Sequence, residues 1–282
     1  MNAKENHACF DRLAWGLRWM LSIQCFGYAA MLATPSHINS WLLPAWGDTC
    51  AGTVDATVAS LLWLSGCALP VLGRANPHRA ASSSFVGRID TLLLIFVAAW
   101  AFSNAILSWQ TNLEDKFHGT DPLGHAVRYV APLTLLALWT GCGSPAKLEW
   151  ILRLAVASTF VGHGLCAYWL QPGFIDLIVG TTDTFLGADW EVAEAREGFA
   201  IGVLPWIGHM DFAMAILILL PGKHLRAVAL WMATWGFVTA LSRMTAFGWE
   251  RWPDLFIRVA NGGIPLILWF HWKTLYRQKE SQ

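Results

Sequence analysis

Eight apolar stretches recur along this 282-residue sequence, each long enough to cross a lipid bilayer as a helix. A membrane-spanning helix needs roughly 17 to 25 mostly apolar residues. Charged residues make up only 13% of the chain, whereas about a quarter is usual in a soluble domain. The pattern predicts an all-α integral membrane protein with eight transmembrane helices at 12–33, 52–72, 88–110, 126–142, 148–170, 200–220, 225–247 and 254–273.

The charges of the connecting loops predict the orientation of these spans, because cytoplasmic loops carry an excess of Lys and Arg. Basic residues gather before the first span, in every second loop and after the last span, and include Lys4, Arg12, Arg74, Arg79, Arg88, Lys147, Lys223, Arg226, Lys273, Arg277 and Lys279. The alternate loops are acidic. Both termini are therefore expected in the cytoplasm. The N-terminus shows no signal-peptide cleavage pattern, so we expect the first span to be retained.

The two halves of the chain align with each other span by span. The first span, RWMLSIQCFGYAAMLATP, lies over the fifth, RLAVASTFVGHGLCAYWL, and the remaining three pairs follow in order. This repeat predicts two tandem four-helix bundles, residues 1–143 and 144–282, in parallel orientation. The polar pairs that it aligns are Arg18 with Arg153, Tyr28 with His163, Asp55 with Asp211, Asn104 with Arg243, and Arg128 with Arg258.

Residues 152–167 carry the pattern LRLA…F.GHGL.A, which resembles the start of the four-helix unit of DoxX-like membrane proteins. Arg153, His163, Gly164 and Asp211 match that pattern in the second half, and Arg18, Gly27 and Asp55 match it in the first. The resemblance implies a bacterial inner-membrane protein associated with quinone-linked or thiol-linked redox systems. The doubled unit and the eighteen tryptophans depart from the usual single four-helix unit.

Polar residues inside the spans identify the candidate site, since an ionised group in hydrocarbon usually has a partner or a task. We expect Asp55 and Arg128 to form a structural ion pair in the first half, and Asp211 to find a counter-charge in Arg243 or Arg258. Arg18 and Arg153, in the inner third, are expected to reach the cytoplasmic headgroups. In the second half we assign catalytic roles to His163 and Asp211 and ligand binding to Arg243, Arg258, His209 and Asn261.

Three chemistries compete for this site. Haem b held between His163 and His209 is disfavoured because the two residues differ in expected depth. A metal site with Asp211 is disfavoured because residues two apart on a helix point to nearly opposite faces. A pocket for a quinone, an isoprenoid or another lipophilic molecule fits best. No nucleotide-binding or hydrolase motif occurs, and the zero net charge gives no basis for nucleic-acid binding.

A non-catalytic role stays open beside the redox one. The protein would then transport a lipid-like solute, or dock a periplasmic partner through the acidic loop 171–199. The segment DWEVAEAREGF in this loop has apolar residues at helical spacing, which predicts a short helix that either lies on the membrane surface or is solvated. Whether the chain is an enzyme is not decided by its sequence.

Overall fold

The computed structural model describes residues 3–75, 85–222 and 224–280, which form helices joined by turns, with no strand among them. The predicted all-helical class is confirmed for this part of the chain. Arg79 and Lys223 of the basic loops lie outside the described residues. The helices are α1 (Ala3–Met31), α2 (His37–Ala75), α3 (Phe85–Thr111), α4 (Asp121–Gly124), α5 (Ala126–Thr140), α6 (Pro145–Tyr168), α7 (Pro172–Leu186), α8 (Ala193–Leu219), α9 (Leu225–Phe247) and α10 (Trp252–Glu280).

Within the described residues, five stretches of helix are long and apolar enough to cross a membrane: His37–Gly73, Phe85–Thr111, Ala146–Tyr168, Trp190–Leu219 and Leu225–Phe247. Their length and composition support a multi-pass membrane protein. Three predicted spans fall on helices outside this group, namely α1, α5 and α10. Helix α5 has only 15 residues, fewer than a straight span requires.

Prolines inside the helices free backbone carbonyls, and neighbouring side chains bond to two of these. Proline has no N–H, so the carbonyl four residues before it loses its helical donor. Pro132 frees the carbonyl of Arg128, which accepts a hydrogen bond of 3.1 Å from the side chain of Gln24 on α1. Pro70 likewise frees the carbonyl of Gly66, which accepts from the hydroxyl of Ser22. These bonds join α1 to α5 and to α2.

Glycines with positive φ break the chain direction at equivalent places in the two halves. Gly47 (φ 76°) kinks α2, which separates residues 37–46 from residues 48–75. Gly187 (φ 85°) ends α7, and Asp189 then accepts a hydrogen bond of 3.0 Å from the backbone N–H of Glu191. Positive φ costs little at glycine and much at other residues. Each half therefore places a short helical segment between its first two long helices.

The connection 171–199 is more ordered than the sequence predicted. Helix α7 fills its first half, although that stretch was expected to be loop. The segment DWEVAEAREGF does not form a separate short helix, because residues from Ala193 onward are continuous with α8. An ion pair between Arg196 and Asp183 ties the start of α8 to α7, and Arg196 also donates to the carbonyl of Gly187 at 2.8 Å.

Long helices of the two halves pack against each other in a reciprocal manner. Helix α1 packs on α10, and α6 packs on α5. Two glycines allow close approach across this interface. A Cβ at Gly27 would lie 2.6 Å from the backbone nitrogen of Ile257, and a Cβ at Gly162 would overlap the backbone of Gly124. The opening helix of each half therefore lies against the end of the other half.

Arg18 does not reach toward headgroups as expected but is buried in an ion pair with Asp90 of α3. The two side chains are 2% and 1% exposed, respectively. Their nitrogen–oxygen distances are 2.8 and 2.6 Å, and Arg18 also donates to the carbonyl of Leu69 at 3.0 Å. Bidentate pairing satisfies both charges without solvent. Asp90 was detectable in the sequence as an acid inside the predicted span 88–110.

Candidate functional site

An apolar pocket of about 260 Å³ lies in the second half, between α6, α7, α8, α9 and α10. We call it the main cavity. This volume is slightly below the roughly 300–1,000 Å³ of typical small-molecule sites, so it suits one end of a long apolar molecule. Its wall is built from aliphatic and aromatic side chains, including Phe160, Phe174, Leu177, Ile178, Leu204, Ile207, Trp235 and Val238.

Five of the six candidate residues of the second half line this one cavity. His163 comes from α6, Asp211 from α8, Arg243 from α9, and Arg258 and Asn261 from α10. Four helices thus bring together polar side chains that the sequence separates by almost a hundred residues. The arrangement is a mostly apolar pocket with a few convergent polar groups, which is the general form of a ligand site.

His209 is the sixth candidate, and the structure places it outside the cavity. It lies on the exposed side of α8, where its ring contacts Tyr168 and Trp206. Its Nδ1 lies 2.7 Å from the carbonyl oxygen of Pro205. His209 therefore does not join the other five candidates in this cavity. The cause is helical geometry, since residues two apart differ by about 200° around the axis and Asp211 faces inward.

Asp211 is buried, at 4% exposure, and its expected arginine partner is missing. It forms no ion pair within the described residues, and its Oδ1 has no hydrogen-bond partner there. The indole of Trp235 faces its carboxylate. Asp211 lies eight residues before the end of α8, whereas Arg243 lies four residues before the end of α9 and Arg258 six residues after the start of α10.

A second cavity of about 350 Å³ adjoins the main cavity and is lined by four arginines. We call it the arginine cavity. It shares His163, Phe174, Leu177, Arg243 and Arg258 with the main cavity, so the two meet at these side chains. The charged side chains along the arginine cavity are Arg128, Arg243, Arg251, Arg258, Asp121 and Asp254.

The two carboxylates of the arginine cavity already have partners. Asp254 accepts from Arg258 at 2.5 Å, and its second oxygen lies 3.9 Å from Arg251. Asp121 accepts from the hydroxyl of Ser108 and lies 3.1 Å from His118. Neither acid bonds to Arg128 or Arg243. Two guanidinium groups of this cavity are therefore left without a carboxylate among the described residues.

Arg128 is the most buried of these arginines, at 3% exposure. Its Nε and one terminal nitrogen have no hydrogen-bond partner in the part of the chain that the structure describes. The Tyr28 hydroxyl faces the guanidinium. Arg243 donates to the carbonyl of Thr239 in its own helix and lies 5.8 Å from the ring centre of Phe174. Both arginines retain unused hydrogen-bond donors.

The predicted ion pair between Asp55 and Arg128 does not form among the described residues. Both oxygens of Asp55 bond instead to Ser36, at 3.0 Å to its backbone nitrogen and 2.6 Å to its hydroxyl. Asp55 thus holds the turn between α1 and α2. A short polar turn close to Asp55 satisfies the acid more readily than a long side chain from a distant helix.

Asp55 and Asp211, which the sequence alignment pairs, also lie at different levels. Arg18 donates to the carbonyl of Leu69, fourteen residues beyond Asp55. Arg153, the aligned arginine, donates at 2.8 Å to the carbonyl of Ile218, only seven residues beyond Asp211. Measured from these bonded carbonyls, the positions of the two acids along their helices differ by about two helical turns. Their shared sequence context does not reflect a shared position.

His125 is a site residue that sequence reasoning missed. It lies in the turn between α4 and α5 and lines both the arginine cavity and a third cavity of about 250 Å³. Burial, and the nearby charges of Arg128 and Arg258, lower the pKa of His125 well below its ordinary value, so its imidazole is neutral at pH 7. Its position directly before a predicted span was the only signal.

The arrangement of histidines and acids bears on metal and haem binding. Among the described residues, no group of three or more His, Cys, Asp or Glu side chains is placed to hold a metal ion. His163 lines the main cavity whereas His209 is on the exposed side of α8. The two histidines thus do not face a common space, which a haem held between them requires.

No family model, curated protein or solved structure matches this chain. The site is therefore interpreted from its own geometry.

Proposed function

We propose that this protein is a multi-pass inner-membrane protein that binds a quinone or a similar lipophilic molecule in the main cavity. One observation carries the proposal. His163, Asp211, Arg243, Arg258 and Asn261 line a single cavity whose wall is otherwise apolar. A lipophilic ligand gains free energy by burying its apolar part, and the few polar groups orient its oxygen atoms.

The architecture we propose has eight spans in two tandem four-helix units, with both termini in the cytoplasm. Helices α1, α5 and α10 would supply the three spans beyond the five long apolar helices. The reciprocal packing of α1 on α10 and of α6 on α5 supports the tandem arrangement. The DoxX-like resemblance is consistent with this plan and remains part of the proposal.

In the proposed binding mode, Arg243 and Arg258 donate hydrogen bonds to an oxygen of the ligand. The imidazole of His163 lies between the arginine cavity and the main cavity, where it can exchange a proton with that oxygen. Reduction of a quinone to a quinol takes up two electrons, which a periplasmic partner protein would supply, and two protons, one passed to each oxygen by His163 and by Asp211. Asp211 lines the main cavity but not the arginine cavity, and it would contact the side of the ligand head that faces away from the arginines.

The first test is to identify what purified protein carries. Protein in neutral detergent is examined by absorption spectroscopy, and an organic extract is analysed by mass spectrometry. Near-stoichiometric quinone or isoprenoid without a Soret band supports the proposal. We then expect His163→Ala to lose at least tenfold in affinity for added decylubiquinone with unchanged thermal stability. A Soret band, or equal affinity in the variant, contradicts the proposed site.

A lipid-like solute transporter is the second candidate, and the series of cavities favours it. The arginine cavity shares residues with the main cavity and with the third cavity, so adjoining spaces run from the second half to the first. Uptake of a fluorescent lipid analogue into protein-containing liposomes distinguishes the two functions. Transport without bound quinone favours the second candidate.

A further inference from the structure

Among the described residues, the arginine cavity is lined by more guanidinium groups than carboxylates. Four guanidinium groups, from Arg128, Arg243, Arg251 and Arg258, line it against the two carboxylates of Asp121 and Asp254. Asp254 already bonds to Arg258. Asp121 is bonded to Ser108 and His118. Arg128 and Arg243 therefore have no carboxylate partner among the described residues.

Such charges are costly where they are buried. An arginine away from water loses several kcal/mol of hydration unless an anion or a full set of acceptors replaces it. The same fold shows how a buried arginine is satisfied, because Arg18 has a bidentate bond to Asp90 and a further bond to a carbonyl. Arg128 has no comparable set, since its Nε and one terminal nitrogen are buried and unbonded.

Guanidinium groups bind the oxygens of phosphate and carboxylate with paired hydrogen bonds. A group of that chemistry would satisfy Arg128 and Arg243 together and would offset the excess charge. His125 and His163 line the same cavity, and each can donate a further hydrogen bond to an oxyanion through a ring N–H. A neutral carbonyl oxygen, such as that of a quinone, would leave both charges unbalanced.

The position of this charge next to an apolar space identifies the rest of the ligand. Arg243 and Arg258 line both the arginine cavity and the main cavity, together with Phe174 and Leu177. Beyond them the wall is made of Phe160, Ile178, Leu204 and Ile207. A molecule with its head at the arginines therefore has its apolar chain in the main cavity.

We infer that the ligand of this site is an amphipathic anion: an apolar chain with a phosphate or carboxylate head bound by Arg128, Arg243 and Arg258. This inference rests on the proposed function, because it uses the same cavity. Within the proposed class of lipophilic molecules, it favours one with a charged oxyanion head over a neutral quinone.

The test compares two probes with the same chain and different heads. Farnesyl phosphate and farnesol are titrated into the full-length protein in neutral maltoside micelles at pH 7.5, and binding is followed by native mass spectrometry. We expect farnesyl phosphate to bind at least tenfold more tightly than farnesol. Inorganic phosphate is titrated alone and as a competitor, which separates a lipid-like anion from a free one.

Variants then locate the preference for the charged head. Arg243→Gln should remove it, and Arg243→Lys should restore most of it because the charge returns. Arg196→Gln is the matched control, since Arg196 pairs with Asp183 and lines none of the three cavities. The comparison of probes in the wild-type protein needs no variant, so it stands even if Arg243→Gln fails to fold.

Each outcome decides one claim. A tenfold preference that Arg243→Gln abolishes supports the inference. Equal affinities of farnesyl phosphate and farnesol overturn it, because hydrated arginines would show no preference, but they leave the proposed function in place. Binding of inorganic phosphate without farnesyl phosphate overturns it in favour of a free anion. No binding of either farnesyl probe or of decylubiquinone overturns the proposed function itself.

Discussion

The two halves of the molecule line their cavities with different side chains at aligned positions. In the first half, Tyr28, Trp100 and Asn104 line the third cavity. Their aligned counterparts His163, Thr239 and Arg243 line the main cavity. The first half thus has a large tryptophan and a neutral asparagine where the second half has a small threonine and a charged arginine. The two cavities are close in volume, about 250 and 260 Å³, so the halves differ in the side chains that line them.

The two halves also differ in how the aligned arginines Arg18 and Arg153 are bonded. Arg18 is bound by Asp90, whereas Ala229 stands at the aligned place on α9. Arg153 bonds instead to the carbonyls of Ile218 and Leu220, and its nearest carboxylate oxygen, on Glu149, is 3.6 Å away. The comparison teaches that the first half is organised for stability and the second for binding. Substitutions can separate these two properties.

Asp90→Ala should have the largest effect on stability. It leaves the guanidinium of Arg18 buried without its counter-charge, which costs about 3–5 kcal/mol in comparable sites. We expect a loss of that size in the free energy of unfolding, measured by titration with a denaturing detergent in mixed micelles. The matched change in the second half is Glu149→Ala.

Glu149→Ala should cost about 1 kcal/mol or less, because the longer, less buried contact with Arg153 contributes little. Equal losses in the two variants would contradict the assignment of stability to the first half. A combined Arg18→Leu and Asp90→Leu variant should recover much of the loss, because apolar side chains replace a buried pair without leaving a charge.

Thr239→Trp should have the next largest effect, and the property that it changes is ligand affinity. The change gives α9 the residue that α3 has at the aligned position, and the indole would fill the main cavity beside Arg243. We expect ligand affinity to fall about 100-fold, equivalent to about 2.7 kcal/mol. Titration of farnesyl phosphate in micelles measures the change.

The control for this variant is Thr234→Trp, which adds the same indole to the exposed side of α9. It should leave affinity and thermal stability within experimental error of the wild type. If both variants bind normally, the ligand does not use the main cavity, and the comparison between the halves loses its functional meaning.

The helical fold follows closely from the sequence because hydrophobic stretches and turn residues are local signals. The breaks at Gly47 and Gly187 were harder to foresee, since a positive φ depends on how the next helix must turn. Helix α7 was missed because acidic residues on both sides made the segment resemble a solvated loop. Its apolar face becomes necessary only once it packs over α8 and α9.

Most residues that line the main cavity as polar groups were predicted from the sequence, but the bonds between them were not. An ionisable residue inside a membrane span usually has a bonding partner or a function. That rule alone predicted His163, Asp211, Arg243 and Arg258 as site residues. Which groups bond to each other depends on side-chain reach across helices. That is why Asp55 bonds to Ser36 rather than to Arg128, and why Arg18 bonds to Asp90.

His209→Ala should have the smallest effect and gives the sharpest test of the cavity's boundary. His209 lies two residues from Asp211 but on the exposed side of α8, against Tyr168 and Trp206. Affinity for farnesyl phosphate should change less than twofold, whereas Asp211→Asn, on the cavity side, should alter it measurably. A tenfold loss in His209→Ala would mean that the ligand also contacts the outer side of α8, and the difference between the halves would then extend beyond the enclosed cavities. Equal and negligible effects in both variants would instead confine the ligand to the arginine end of the main cavity.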